Sequence, residues 1–144
     1  MSTGLPVFDT TVQETNLWLK AVEGRLPPCD RQEAYAALRS VLHVLRDRLP
    51  TEATLGLSAQ LPMLLRGVFL EGWRPAAGPT GIRDPQVFAS EVAEHLPPTF
   101  PCLPNETVTA VFAVMAEQLD AGEVSKLEQF LPPRLRNFFP AQPA

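Results

Sequence analysis

Residues 57–69 read LSAQLPMLLRGVF, and residues 127–139 read LEQFLPPRLRNFF. Leucine recurs at Leu57, Leu61 and Leu65 and, 70 positions later, at Leu127, Leu131 and Leu135. Each stretch breaks at Leu-Pro (Leu61-Pro62, Leu131-Pro132), carries an arginine one turn on (Arg66, Arg136), and ends on Phe69 or Phe139. The match extends outward without a gap: segments 12–69 and 82–139 share 13 identities at the same offset of 70. These include Val22 with Val92, Leu26 with Leu96, Pro27-Pro28 with Pro97-Pro98, Val41 with Val111, Val44 with Val114 and Leu49 with Leu119. Nearly all are apolar or proline, so what is written twice is a backbone plan and not a reaction site.

Around these positions the apolar residues are spaced for helices. Tyr35, Leu38, Leu42, Leu45 and Leu49 step by three and four, and Val108, Phe112, Met115 and Leu119 answer them in the second copy. A shorter helix is expected before each, with an inner face of Val12, Leu19, Val22 and Leu26 or of Phe88, Ala89, Val92 and Leu96. The Pro-Pro pairs end these helices because proline brings no amide donor and restricts the residue before it. Asp30 with Glu33, and Asp120 with Glu123, have capping-box spacing; Asp84 stands before Pro85, and Thr51 and Asn105 are candidate single caps. A third helix is expected over 51–60 and 121–130. A fourth follows Pro62 or Pro132 and carries Leu64, Leu65, Val68 and Phe69, or Leu135, Phe138 and Phe139. Residues 70–81, rich in glycine and proline, read as an ordered turn and a linker. The expectation is an all-α helical bundle, one domain over 1–144, in which two pseudo-symmetric four-helix repeats pack on a shared core. One such repeat alone would bury too little surface to be stable.

Composition narrows the function classes. The 144 residues are 45% hydrophobic and 19% charged, with a net charge of -4, which argues against the basic face that nucleic-acid binding requires. Charge is uneven, with 7 basic against 6 acidic residues over 12–69 and 4 against 8 over 82–139; solvated helix faces are the simpler explanation. Met1 to Pro6 lacks the basic and apolar regions of a secretory signal, and Leu55 to Leu70 is broken by Gln60, Pro62 and Arg66, so no membrane span is expected. Cys29 and Cys102, the two cysteines, have no metal-ligand spacing and read as small buried or half-buried thiols. Both follow a Pro-Pro pair closely, which leaves a spatial approach open.

Catalytic chemistry has few sources. His43 lies mid-helix among Leu42, Val44 and Leu45, with Ala113 at the offset, and reads as a structural or surface side chain; His95 closes a helix. Neither has a cysteine or carboxylate pattern that builds a nucleophile dyad. No glycine-rich phosphate loop is present, and Asp47 with Glu52 or Glu91 with Glu94 are ordinary helix-surface spacings. A helix-turn-helix reading of 51–69 fails because Leu64, Leu65, Val68 and Phe69 stand where base-reading groups belong. No catalytic residue, metal site or cofactor is therefore expected. Two binding candidates remain. Arg66 and Arg136 are equivalent cations inside apolar helices, either satisfied by carbonyls or a carboxylate such as Asp47 or Glu117, or open to an anion. Trp73 and Arg74, in the run Glu71 to Pro75 that the second copy lacks, suit either a binding rim or a plug for the end of the bundle.

The runs Phe8 to Val12, Trp18-Leu19, Ala34 to Arg39, Leu45 to Pro50, Ala59 to Pro62 and Arg66 through Val68-Phe69 to Gly72-Trp73 resemble a bacterial family known as domain of unknown function 2267. The likeness is closest over the first copy and looser after Arg83. It implies an all-helical fold in a bacterial cytoplasm, and it carries no activity, cofactor or catalytic residue onto these positions. The expected role is a non-enzymatic interaction or accessory module that contacts another protein, or a second copy of itself, near Trp73 and Arg74. The alternative is a binder of a small apolar anion, with an apolar pocket between the repeats and Arg66 or Arg136 at the head group.

Overall fold

Proline and aspartate set the frame of the chain. Asp30 accepts from the Glu33 amide while the Glu33 side chain accepts from the Asp30 amide, a complete capping box. Asp84 accepts from the Gln86 amide ahead of a helix whose first residue is Pro85. A computed structural model describes residues 2–141, so Met1 and residues 142–144 of the expected 1–144 domain lie outside the described part. Its elements are α1 (Pro6–Arg25), α2 (Arg31–Arg48), α3 (Thr51–Gln60), α4 (Met63–Leu70), a 3-10 turn (Pro75–Ala77), α5 (Pro85–Glu94), α6 (Pro104–Gln118), α7 (Ala121–Gln129) and α8 (Pro133–Arg136). The fold is all-helical, and no strand occurs among the described residues.

α2 is the central strut. It packs on α1, α4, α5 and α6, while α3 meets both α4 and α7. Its buried stripe, Ala34, Ala37, Leu38, Val41, Leu42 and Leu45, joins Val22, Phe69, Phe88, Val111, Phe112 and Met115 in a contiguous apolar cluster drawn from both copies. Each fully buried leucine or phenylalanine there contributes about 1.5–3 kcal/mol relative to exposure. Inside the cluster the Ser40 hydroxyl donates to the Val92 carbonyl at 2.8 Å, so the polar group that α2 buries against α5 is satisfied.

Several local expectations change. α1 is 20 residues long against 18 for α2, and so is not the shorter of the two. Its first turns expose Val7 and Phe8, and they are held by Asp9, whose carboxylate accepts from the Thr3 amide at 2.6 Å and hydroxyl at 2.7 Å. A core-facing period cannot reveal a turn that faces water. Tyr35 is exposed because the neighbouring Ala34 takes the inward position. Thr51 and Asn105 lie inside their helices, behind Pro50 and Leu103 at the caps, and Asp120 caps α7 without a side-chain bond. α7 ends at Gln129, leaving Phe130 as its exposed cap.

Candidate functional site

Where α4 ends, the chain makes a turn that only its sequence explains. Glu71 (φ -58°, ψ 124°) and Gly72 (φ 75°) take type II turn angles, closed by the Trp73 amide donating to the Leu70 carbonyl at 3.0 Å. The positive φ requires glycine, or strain in any other residue. The turn delivers Trp73, half-buried, and Arg74, exposed, onto the C-terminal end of α2. There they line a hollow of about 200 Å³ with Arg46, Asp47, Leu49 and Pro79. Arg74 makes no ion pair among the described residues, whereas Asp47 is engaged by Arg46 at 2.9 Å.

The floor of this hollow rests on a residue that the sequence reading passed over. Arg46 is 6% exposed, and its guanidinium donates to the Phe69 and Glu71 carbonyls, both at 2.9 Å, as well as to Asp47 Oδ1. One turn earlier on the same face, His43 Nε2 lies 2.7 Å from the Val68 carbonyl. Burial, the largest cause, holds the His43 pKa below its ordinary value of 6.5, and because a carbonyl can only accept, Nε2 is the donor of this bond. Together these two side chains take the carbonyls that the end of α4 leaves unpaired. The linker is fastened further along as well: the Thr80 amide donates to the Asp47 carbonyl at 2.7 Å, and Arg48 donates to the Ile82 carbonyl. A signal existed in the sequence. His43 and Arg46 stand one turn apart among core leucines, and both positions become alanine (Ala113, Ala116) at the offset.

The four expected binding residues separate into two groups. Trp73 and Arg74 share the hollow. Arg66 and Arg136 do not join them. Arg66 Nε donates to the Ser58 carbonyl at 2.9 Å, and its terminal nitrogen reaches the carbonyl oxygens of Leu61 at 3.3 Å and Ala59 at 3.5 Å. Arg136 Nε donates to the Leu131 carbonyl at 3.0 Å, the equivalent partner 70 positions on. Arg66 caps the end of α3, Arg136 bonds the short connection between α7 and α8, and neither uses Asp47 or Glu117; the latter pairs with Arg25. Between α3 and α7 runs an open groove of about 470 Å³ over Ala53, Gly56, Leu57, Leu127 and Phe130. Its charged neighbours are Glu52, Glu123 and Lys126, so the arginines expected at an anionic head group lie elsewhere.

Among the described residues no group of three His, Cys, Asp or Glu side chains has metal-binding geometry, and no helix is long and apolar enough to cross a membrane. A family model described as "Uncharacterized conserved protein (DUF2267)" matches residues 15–138. No curated protein matches the chain.

Proposed function

The chain belongs to the DUF2267 family, and from that premise we propose that it is a non-enzymatic interaction module whose docking site is the hollow formed by Trp73, Arg74 and the end of α2. The observation that carries this reading is a half-buried tryptophan beside an arginine that has no ion-pair partner among the described residues, both on a linker tied to the helix beneath it. Tryptophan and arginine are the side chains most enriched among binding hot spots. The size of the hollow supports a protein partner over a metabolite. About 200 Å³ admits one large side chain, whereas small-molecule sites run to roughly 300–1,000 Å³. The fitting occupant is a segment of another protein that places one apolar side chain against Trp73 and a carboxylate on Arg74. Two free thiols accord with a reducing cytoplasm as the place of work.

Native mass spectrometry of the gently purified protein tests the reading. A second polypeptide at fixed stoichiometry is expected. It should be lost in Trp73→Ala at an unchanged melting temperature and weakened at least about tenfold in Arg74→Glu, where like charges would face each other. Retention of the partner by Arg74→Glu, together with unfolding of Trp73→Ala, would sink the proposal and make Trp73 a structural plug. A bound mass of a few hundred daltons in place of a polypeptide would favour the groove between α3 and α7, the second reading, whose volume falls within the small-molecule range.

A further inference from the structure

The loop between α1 and α2 and the loop between α5 and α6 bring together the two cysteines of the chain. Cys29 is buried, Cys102 is half-buried, and their Sγ atoms lie 3.8 Å apart. The Cys102 sulfur is also 3.8 Å from the Leu26 and Pro27 carbonyl oxygens, so it sits against the loop that carries its neighbour. We propose that Cys29 and Cys102 form a reversible dithiol-disulfide site that takes a hydroperoxide as its two-electron oxidant and cross-links the two halves of the chain. A disulfide needs sulfurs about 2.05 Å apart, roughly 1.8 Å closer than they lie here. The segments that precede the two thiols expose Pro27, Pro28, Pro97 and Pro98, so no core packing there opposes a small approach.

The two sulfurs have different roles. Cys102 meets solvent and attacks first: its thiolate takes the terminal peroxide oxygen, the O-O bond breaks, and the other oxygen leaves with a proton as an alcohol. Cys102 is then a sulfenic acid. The Cys29 thiol is pushed up to about 12, first by burial and next by the Cys102 thiol, and so keeps its proton and does not compete for the oxidant. Its sulfur then attacks the Cys102 sulfur, the S-S bond forms, the S-O bond breaks, and hydroxide departs with the Cys29 proton as water. Two thiols have lost two electrons and two protons, and one hydroperoxide has become alcohol and water. A small thiol reverses the bond by exchange. The site is independent of the proposed docking hollow, since the two lie at opposite ends of α2, an 18-residue helix about 27 Å long at 1.5 Å per residue.

Hydrogen peroxide added to the full chain, followed by denaturation, alkylation and intact mass measurement, is the test. The expected product is a monomer lighter by two hydrogens that takes up no alkylating agent. Its melting temperature should rise on the order of 10 °C, because the bond closes a long loop in the unfolded chain, and dithiothreitol should reverse the change. Cys29→Ser should stop at a Cys102 sulfenic acid that a 1,3-dione reagent traps. In Cys102→Ser, Cys29 should stay alkylatable at peroxide doses that convert the natural protein. Because Cys102 is half-exposed, that variant keeps the fold and gives a readout even where Cys29→Ser does not. The proposal is overturned if both thiols of the natural protein still alkylate after peroxide, if Cys102 accumulates oxygen adducts with Cys29 still free, or if the only disulfide formed joins two chains.

Discussion

α4 and α8 begin at the same point of the repeated sequence, yet α4 runs for eight residues and α8 for four. α4 keeps its last turn because His43 and Arg46 reach from α2 to bond the carbonyls of Val68, Phe69 and Glu71. Beyond α8 the corresponding positions on α6 are Ala113 and Ala116, which can bond nothing. There the chain turns inward instead, and Phe138 and Phe139 pack on Phe112 with ring centroids 5.4 and 4.7 Å away, Phe88 closing the cluster at 6.0 Å. The repeated sequence is thus ended by buried polar bonds in the first copy and by aromatic packing in the second. The polar ending carries a stricter demand, since a buried guanidinium is tolerated only with its donors satisfied. It also leaves Asp47 and Arg74 beside one another over the end of α2.

The contrast can be broken from either side. The largest effect is expected from Phe112→Ala, which removes the ring shared by all three other phenylalanines and should cost about 4 kcal/mol in urea unfolding. Phe112→Leu, which installs the residue found at position 42, should cost far less. Arg46→Ala gives the first copy the residue of the second. It should cost about 3 kcal/mol by stranding the Phe69 and Glu71 carbonyls, and hydrogen exchange should show the Trp73 amide losing protection. If Arg46→Ala left both stability and that amide unchanged, the clamp would not be what extends α4. The finest test is pH. The folded-state pKa of His43 is held below 6.5, so the unfolded chain binds a proton that the folded chain refuses. The stability linked to this ring is full above pH 6.5 and is lost as pH falls toward the folded value. His43→Gln keeps an amide donor for Val68 and removes the titration, so its unfolding free energy should fall less than that of the natural protein over the same interval. Parallel pH curves for the two would remove His43 from the clamp.

The helical frame was legible because its signals are local. Pro62 and Pro132 mark helix starts, Asp30 with Glu33 forms the expected box, and Leu38, Leu42 and Leu45 fall inward at the expected period. What escaped depends on distance in space. Arg66 and Arg136 could be recognised as equivalent in sequence, but their choice of main-chain carbonyls over a carboxylate depends on how α3 approaches α4 and how α7 approaches α8. Trp73 and Arg74 stood out as a run without counterpart in the second copy. Their neighbours in the hollow, Arg46 and Asp47, belong to a helix that ends more than twenty residues earlier. Arg46 stands beside a leucine stripe, where a cation ordinarily reaches water, yet it is buried beneath the chain that follows α4.

Most loops that bind partners must first be ordered, and that ordering subtracts from affinity. The segment from Leu70 to Ile82 is already held at the Glu71 and Ile82 carbonyls and at the Trp73 and Thr80 amides, so its backbone has little freedom left to lose. In the proposed docking role, a partner should meet it as a rigid body, with association set by diffusion and orientation and with the lifetime of the complex as the variable that evolution can tune.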